Sequence, residues 1–213
     1  FYDLLVQKES GTLSLEDHVV VSNTLSLTQG EVNAGSNILY LGTSATNEGS
    51  LNYSSGRILG KFCRWIEAGS TGSDILFPVS AGGVTNAATL NFTNLTAGSL
   101  TAEFKATNPG NSGLPLEESG DSIGNAFSEG YWTLNKGNGL ESSIYELKLN
   151  GTGFSSFAFD SEVRILKRNS GASPWLLDGV HVAPSGVVAN RTGMSGFSEF
   201  ALGSSETCSP PVT

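Results

Sequence analysis

The stretch T-L-S-L-E-D-H-V-V-V-S-N-T-L-S-L-T-Q-G-E-V-N-A-G-S-N-I-L-Y-L, from Thr12 to Leu41, writes one tetrapeptide twice. T-L-S-L stands at Thr12–Leu15 and at Thr24–Leu27, twelve residues apart, and a related I-L-Y-L follows at Ile38–Leu41. Apolar residues fall on alternate positions: Leu13, Leu15, Val19, Val21, Leu25, Leu27, Val32, Leu39 and Leu41. A period of two buries one face of a strand. Gln29-Gly30, Ala34-Gly35-Ser36-Asn37 and Glu48-Gly49 supply turns between the runs. Strand-plus-turn units repeated at short intervals predict a β-solenoid, whose rungs stack their apolar faces on one another. A rung of twelve to fourteen residues is short for a three-sided helix of strands. A flattened two-sided stack and a regular meander therefore stay open as alternatives.

Beyond residue 60 the repeat fades. Arg57–Ile66 (R-I-L-G-K-F-C-R-W-I) leads out of it, and I-L-F-P-V at Ile75–Val79 reads as a strand ended by Pro78. Further strands are expected at Ala88–Phe92, Leu100–Ala106, Gly130–Leu134, Ile144–Leu149, Val163–Arg168, Trp175–Leu177, Val180–Ala183 and Phe197–Leu202. Such spacing suits a sandwich. No window carries a helical apolar period with caps. The fold expected is all-β: a short β-solenoid over 1–60, an antiparallel β-sandwich over 61–205, and a linker-like tail over 206–213.

The composition narrows the habitat. Charged residues are only 15% of the 213, and 27 are Gly, the balance of a turn-rich secreted β protein. The net charge of −9 offers no basic stripe for phosphates, which argues against nucleic acid and against anionic membrane surfaces. No run reaches the length of a membrane-spanning helix. The opening F-Y-D-L-L-V-Q reads as a strand rather than a signal peptide, and C-S-P-P-V-T at the far end reads as a linker. The chain therefore reads as a segment of a longer polypeptide or as a mature processed form.

Chemistry-bearing residues are few. Cys63 and Cys208 are too far apart for a CxxC motif and leave three readings: one intrachain disulfide, two free thiols, or a link to a neighbouring chain. Only His18 and His181 could serve as a catalytic base, and no G-x-S-x-G elbow accompanies them, so no enzyme is expected. Glu117, Glu118 and Asp121 lie in an acidic, Gly-rich segment read as an exposed loop. They are candidates for calcium, a hard cation that takes several oxygens. Trp132 and Trp175, with Trp65 and Tyr131, are candidates for a sugar-stacking platform, set against an ordinary place in the core. Phe1, Tyr2, Leu4 and Val6 form a strand that could add to another subunit.

The rungs from Phe1 to Gly42, then G-R-I-L-G-K-F-C-R-W-I, L-F-P-V, A-A-T-L-N-F, E-G-Y-W-T-L at Glu129–Leu134 and G-F-S-E-F-A-L-G at Gly196–Gly203 resemble large secreted surface proteins of Bacteroidota. Those are gliding and adhesion proteins exported by the type IX secretion route. The resemblance runs through nearly the whole chain. It implies a cell-surface or extracellular module, often repeated, and carries over no catalytic residue. Cys63 departs from the pattern, where a polar or basic residue is expected, and a bond to Cys208 would explain it. Asp121-Ser122-Ile123 is similar to the O-glycosylation signal of that group, which makes Ser122 a candidate modified residue. The function expected is a non-catalytic structural or adhesive module that assembles through strand addition, with other copies or neighbouring domains as partners. The alternative is a carbohydrate-binding module with glycans as partners.

Overall fold

The computed structural model describes residues 1–205. Its strands in chain order are β1 (Asp3–Ser14), β2 (Val19–Val21), β3 (Thr24–Leu41), β4 (Ser50–Tyr53), β5 (Arg57–Ile66), β6 (Asp74–Phe77), β7 (Val79–Ser80), β8 (Ala88–Phe92) and β9 (Gly98–Lys105). There follow β10 (Leu116–Glu118), β11 (Asp121–Ile123), β12 (Asn125–Ala126), β13 (Tyr131–Gly137), β14 (Tyr145–Asn150), β15 (Arg164–Arg168), β16 (Val180–Ser185), β17 (Val188–Met194) and β18 (Glu199–Ser204). The fold is all-β, a solenoid of about four turns joined to antiparallel sheets.

The solenoid is built from parallel ladders. One joins Leu4, Leu25 and Leu51; a second joins Leu13, Val32, Ile58 and Val79; a third joins Val19, Leu39 and Phe62. Successive rungs are offset by 19 residues (Leu13 to Val32) to 26 residues (Leu25 to Leu51). The twelve-residue spacing of the two T-L-S-L copies is thus not the rung. Thr12 stands opposite Glu31 whereas Thr24 stands opposite Asp3, so the copies lie on different ladders. Both copies are strands with an inward leucine, which is why alternation reported the strands correctly while their spacing underestimated the coil.

The expected boundary at residue 60 falls inside β5, which belongs to both halves. Its one side pairs parallel with β3, and its other pairs antiparallel with β9. From there the large sheet continues antiparallel through β13 and β18 to β12, with β15 also on β18. A second sheet of five strands, in the order β16-β17-β14-β8-β6, covers it. Leu25, Phe62, Leu90, Leu147, Phe200 and Leu202 belong to a single buried core that runs through both parts. Pro78 separates β6 from β7 and sends them to different sheets, since proline removes the donor a continuous ladder needs.

A smaller core lies on another part of the large sheet: Ile123, Ala126, Leu166, Trp175 and Ala201. The hairpin β10–β11 contributes to it. The segment expected as a loop over 117–125 is this hairpin, with Glu118 opposite Asp121. Its two-residue turn has positive φ at Ser119 (56°) and Gly120 (96°). Two such residues match the right-handed twist of a hairpin. The pattern hid the hairpin because each strand is only three residues long.

Candidate functional site: the open end of the solenoid

The first rung is built like the second but covered differently. On the second rung the inward residues Leu25, Leu27, Val32, Leu39 and Leu41 are fully buried. On the first, Leu4, Leu13, Leu15 and Val19 are only partly buried, although Val6 and Val21 are enclosed. The difference is a missing layer: each second-rung residue has neighbours on both sides, and each first-rung residue on one. Among the described strands β1 and β2 each pair with β3 alone, so one backbone edge of the first rung faces outward. Such an edge is a template for another strand. Phe1 and Tyr2 are each 72% exposed and Leu5 60%, which adds apolar surface beside that edge. Asp3 is occupied locally, accepting from Asn23 Nδ2 (2.8 Å) and the Thr24 amide (2.9 Å). Of the four residues assigned to strand addition, Phe1 and Tyr2 are exposed, Leu4 half-exposed and Val6 inward.

The acidic candidates for calcium are engaged otherwise. Glu118 accepts two bonds from Arg191, at 2.6 and 3.0 Å, and lies 3.1 Å from Arg164 Nε. Arg164 Nη2 reaches Asp121 (2.9 Å) and Glu162 (3.0 Å), and its Nη1 lies 3.0 Å from His181 Nε2. Both guanidiniums are almost wholly buried, so these carboxylates are their counter-charges. Glu117 points outward, away from that pair. No group of three metal-binding side chains occurs among the described residues. The calcium assignment fails on charge: oxygens that neutralise two buried arginines are not free to hold a cation. Ser122 is exposed on β11, at a reachable position.

Electrostatics follow from this packing. Burial opposes ionisation of Glu118, but the hydrogen bonds and charge of Arg191, with Arg164, outweigh it and hold the carboxyl below its ordinary value. Hydrogen bonding between Asp121 and Glu162 holds Glu162 at about 2 and pushes Asp121 up. Burial, then the Arg164 charge, lowers His181. The sequence reading missed Arg164 and Arg191. The signal available was R-I-L-K-R, three cations in a five-residue run that is otherwise core-like.

The tryptophans assigned to sugar stacking are internal. Trp132 is fully buried and donates Nε1–H to the Asn86 carbonyl at 2.6 Å. Trp175 is 2% exposed and donates to the Gly110 carbonyl at 2.8 Å. Neither presents a ring to solvent, because alternation along β13 turns Trp132 inward and Trp175 fills the smaller core. Cys63 is buried on β5, and burial pushes its thiol up despite hydrogen bonding to Thr101 and Ser99. Cys208, its suggested disulfide partner, lies outside the described residues.

Comparison of the chain with protein families, with curated proteins and with solved structures returns no match.

Proposed function

We propose that the chain is a non-catalytic structural or adhesive module of a secreted, surface-attached protein, and that it works by extending its solenoid. The observation that supports this is the first rung, where Leu4, Leu13, Leu15 and Val19 form an apolar layer with a backbone edge that no described strand pairs. Another solenoid rung, from a second copy or a neighbouring domain, would bury those residues and pair that edge. The resemblance of the rungs to Bacteroidota surface proteins supports the extracellular setting. Two variants test the reading by sedimentation over a range of concentrations: deletion of residues 1–7, and Leu13→Lys. The chain is expected to form larger assemblies that both variants abolish. Assemblies of unchanged size in both, or a chain that stays monomeric at every concentration, would overturn addition of copies through this end.

A second reading, carbohydrate binding, loses Trp132 and Trp175. It gains a different pair of rings, on the outward side of the solenoid.

A further inference from the structure

Leu39 and Leu41 point into the solenoid, so the alternation of β3 turns Tyr40 outward. Val20 is its register partner on the preceding rung and is 41% exposed. On β5, Phe62 points inward, and Trp65 lies on the outward side close to Tyr40. Gly42 follows Tyr40 by two residues and also lines the opening. Its φ is +86° and a Cβ there would come within 2.5 Å of the Glu48 carbonyl oxygen, so the position is kept to glycine. Thr43 borders the opening, its hydroxyl accepting from Asn47 Nδ2 at 3.0 Å. These five residues line a shallow cleft of about 200 Å³. His18, whose Nδ1 accepts from the Ile38 amide at 3.1 Å, packs edge-on against Tyr40 at 6.2 Å and steadies the ring.

The polar tips of the two rings separate this cleft from ordinary core. The indole N–H groups of Trp132 and Trp175 and the hydroxyl of Tyr145 each donate to a backbone carbonyl. Trp65 Nε1 and Tyr40 Oη make no hydrogen bond to any described residue. Two aromatic side chains, an N–H and a hydroxyl without a partner among the described residues, and no charged lining residue define the ligand. It is a ring with an apolar C–H face, hydroxyls at its edge and no charge.

We propose that the Tyr40–Trp65 cleft binds a pyranose unit of an uncharged glycan, stacked between the two rings and hydrogen-bonded by their tips. An apolar side chain from a protein partner fits less well, because it would desolvate the indole N–H and the phenol without replacing their bonds to water. An anionic sugar is disfavoured by the absence of a cation in the cleft and by the net charge of −9. This inference concerns the second reading and is distinct from solenoid extension, since both rings stand on β3 and β5, on the outer side, and only Val20 of the lining belongs to the first rung.

The test is titration of the whole chain with uncharged hexasaccharides of β-1,4-glucan, β-1,3-glucan, xylan, mannan and α-glucan. Binding is followed by tryptophan fluorescence and ligand-observed NMR. At least one is expected to bind, with Trp65→Ala and Tyr40→Ala each weakening it by about tenfold or more, a loss of about 1.4 kcal/mol. Trp65→Phe should retain part of the affinity. Tyr40→Phe, which leaves both rings in place and removes only the hydroxyl, should also weaken binding and decides the matter where either alanine variant misfolds by circular dichroism. The proposal is overturned if none of the five binds at millimolar concentration. It is overturned equally if a sugar binds the Trp65→Ala and Tyr40→Phe variants as well as the parent. Sedimentation of the same samples separates the two ideas, because loss of sugar binding need not alter assembly.

Discussion

Arg191 on β17 holds both carboxylate oxygens of Glu118 on β10, joining the five-stranded sheet to the hairpin, while Arg164 on β15 contacts the same carboxylate from the large sheet. One anion thus serves two buried cations from two sheets. Glu118→Ala would leave both guanidiniums without their shared partner, a change expected to cost about 3 kcal/mol. Glu118→Gln should cost less, since it keeps one acceptor. Urea midpoints of the two variants measure this. An unchanged midpoint would mean that the hairpin merely decorates the sheet. Calcium, added or chelated, is expected to leave the parent midpoint where it is.

The same cluster sets the response to acid. Glu118 and Asp178 are held below their ordinary values; burial opposes this, but Arg191 and Arg164 outweigh it at Glu118, and Lys167 and Ser195 do so at Asp178. A carboxylate depressed on folding contributes stability above its unfolded value, about 4.3 for Glu, and loses it as pH falls through the folded one. His181 is depressed too, by burial and by Arg164, so the fold prefers its neutral form. Its contribution is lost as pH falls below the unfolded value of about 6.5. Stability should therefore be flat at neutral pH, decline once below about 6.5 and again below about 4.3. His181→Gln should remove the first decline and leave the second. A midpoint that rises on acidification through the first window would contradict the assignment.

Strand positions were legible wherever one face of a strand is buried and the other is not. Ala88–Phe92 was read to the residue because Ala88, Leu90 and Phe92 alternate with Thr89 and Asn91. What pairs with what was not legible. The two T-L-S-L copies look like successive rungs, yet hydrogen bonding places them on different ladders, and register is a property of distant segments. The strand Val188–Met194 escaped notice because Arg191 occupies an inward position, where a partnered cation replaces the expected apolar residue. Tyr40 was legible in principle: it sits between two inward leucines and must point the other way. Its meeting with Trp65 depends on the β3–β5 register, which the sequence does not display.

Leu4 and Leu25 are register partners on adjacent rungs, so they offer a matched comparison. Leu25→Ala empties a site enclosed on both sides and should cost about 2–5 kcal/mol. Leu4→Ala lies at the open layer, where solvent can fill the space, and should cost under about 1 kcal/mol in dilute solution. If the open end is covered in an assembly, the cost of Leu4→Ala should grow with protein concentration while that of Leu25→Ala stays fixed. Thermal melts at low and high concentration read both slopes. Equal costs at every concentration would place Leu4 in a closed core and remove the basis for extension.

Trp175 supplies the control for the ring pair on the solenoid. Its indole lies beneath the Arg168 guanidinium, 4.1 Å from the ring centre, and Arg168 also bonds Glu199 at 2.7 Å and the Pro109 carbonyl at 2.8 Å. Tyr131 lies 5.5 Å from the same guanidinium, so the cation is held by two rings and two acceptors. Trp175→Ala should cost about 3–5 kcal/mol through lost packing. Trp175→Phe keeps a ring for Arg168 and gives up the bond to Gly110, at a cost of about 1 kcal/mol. Because Trp175 works inside the smaller core, Trp175→Phe should leave glycan affinity unchanged while Trp65→Ala weakens it by about tenfold or more without a comparable loss of stability. The opposite pattern, with affinity following Trp175, would return the sugar site to the smaller core and require that core to open.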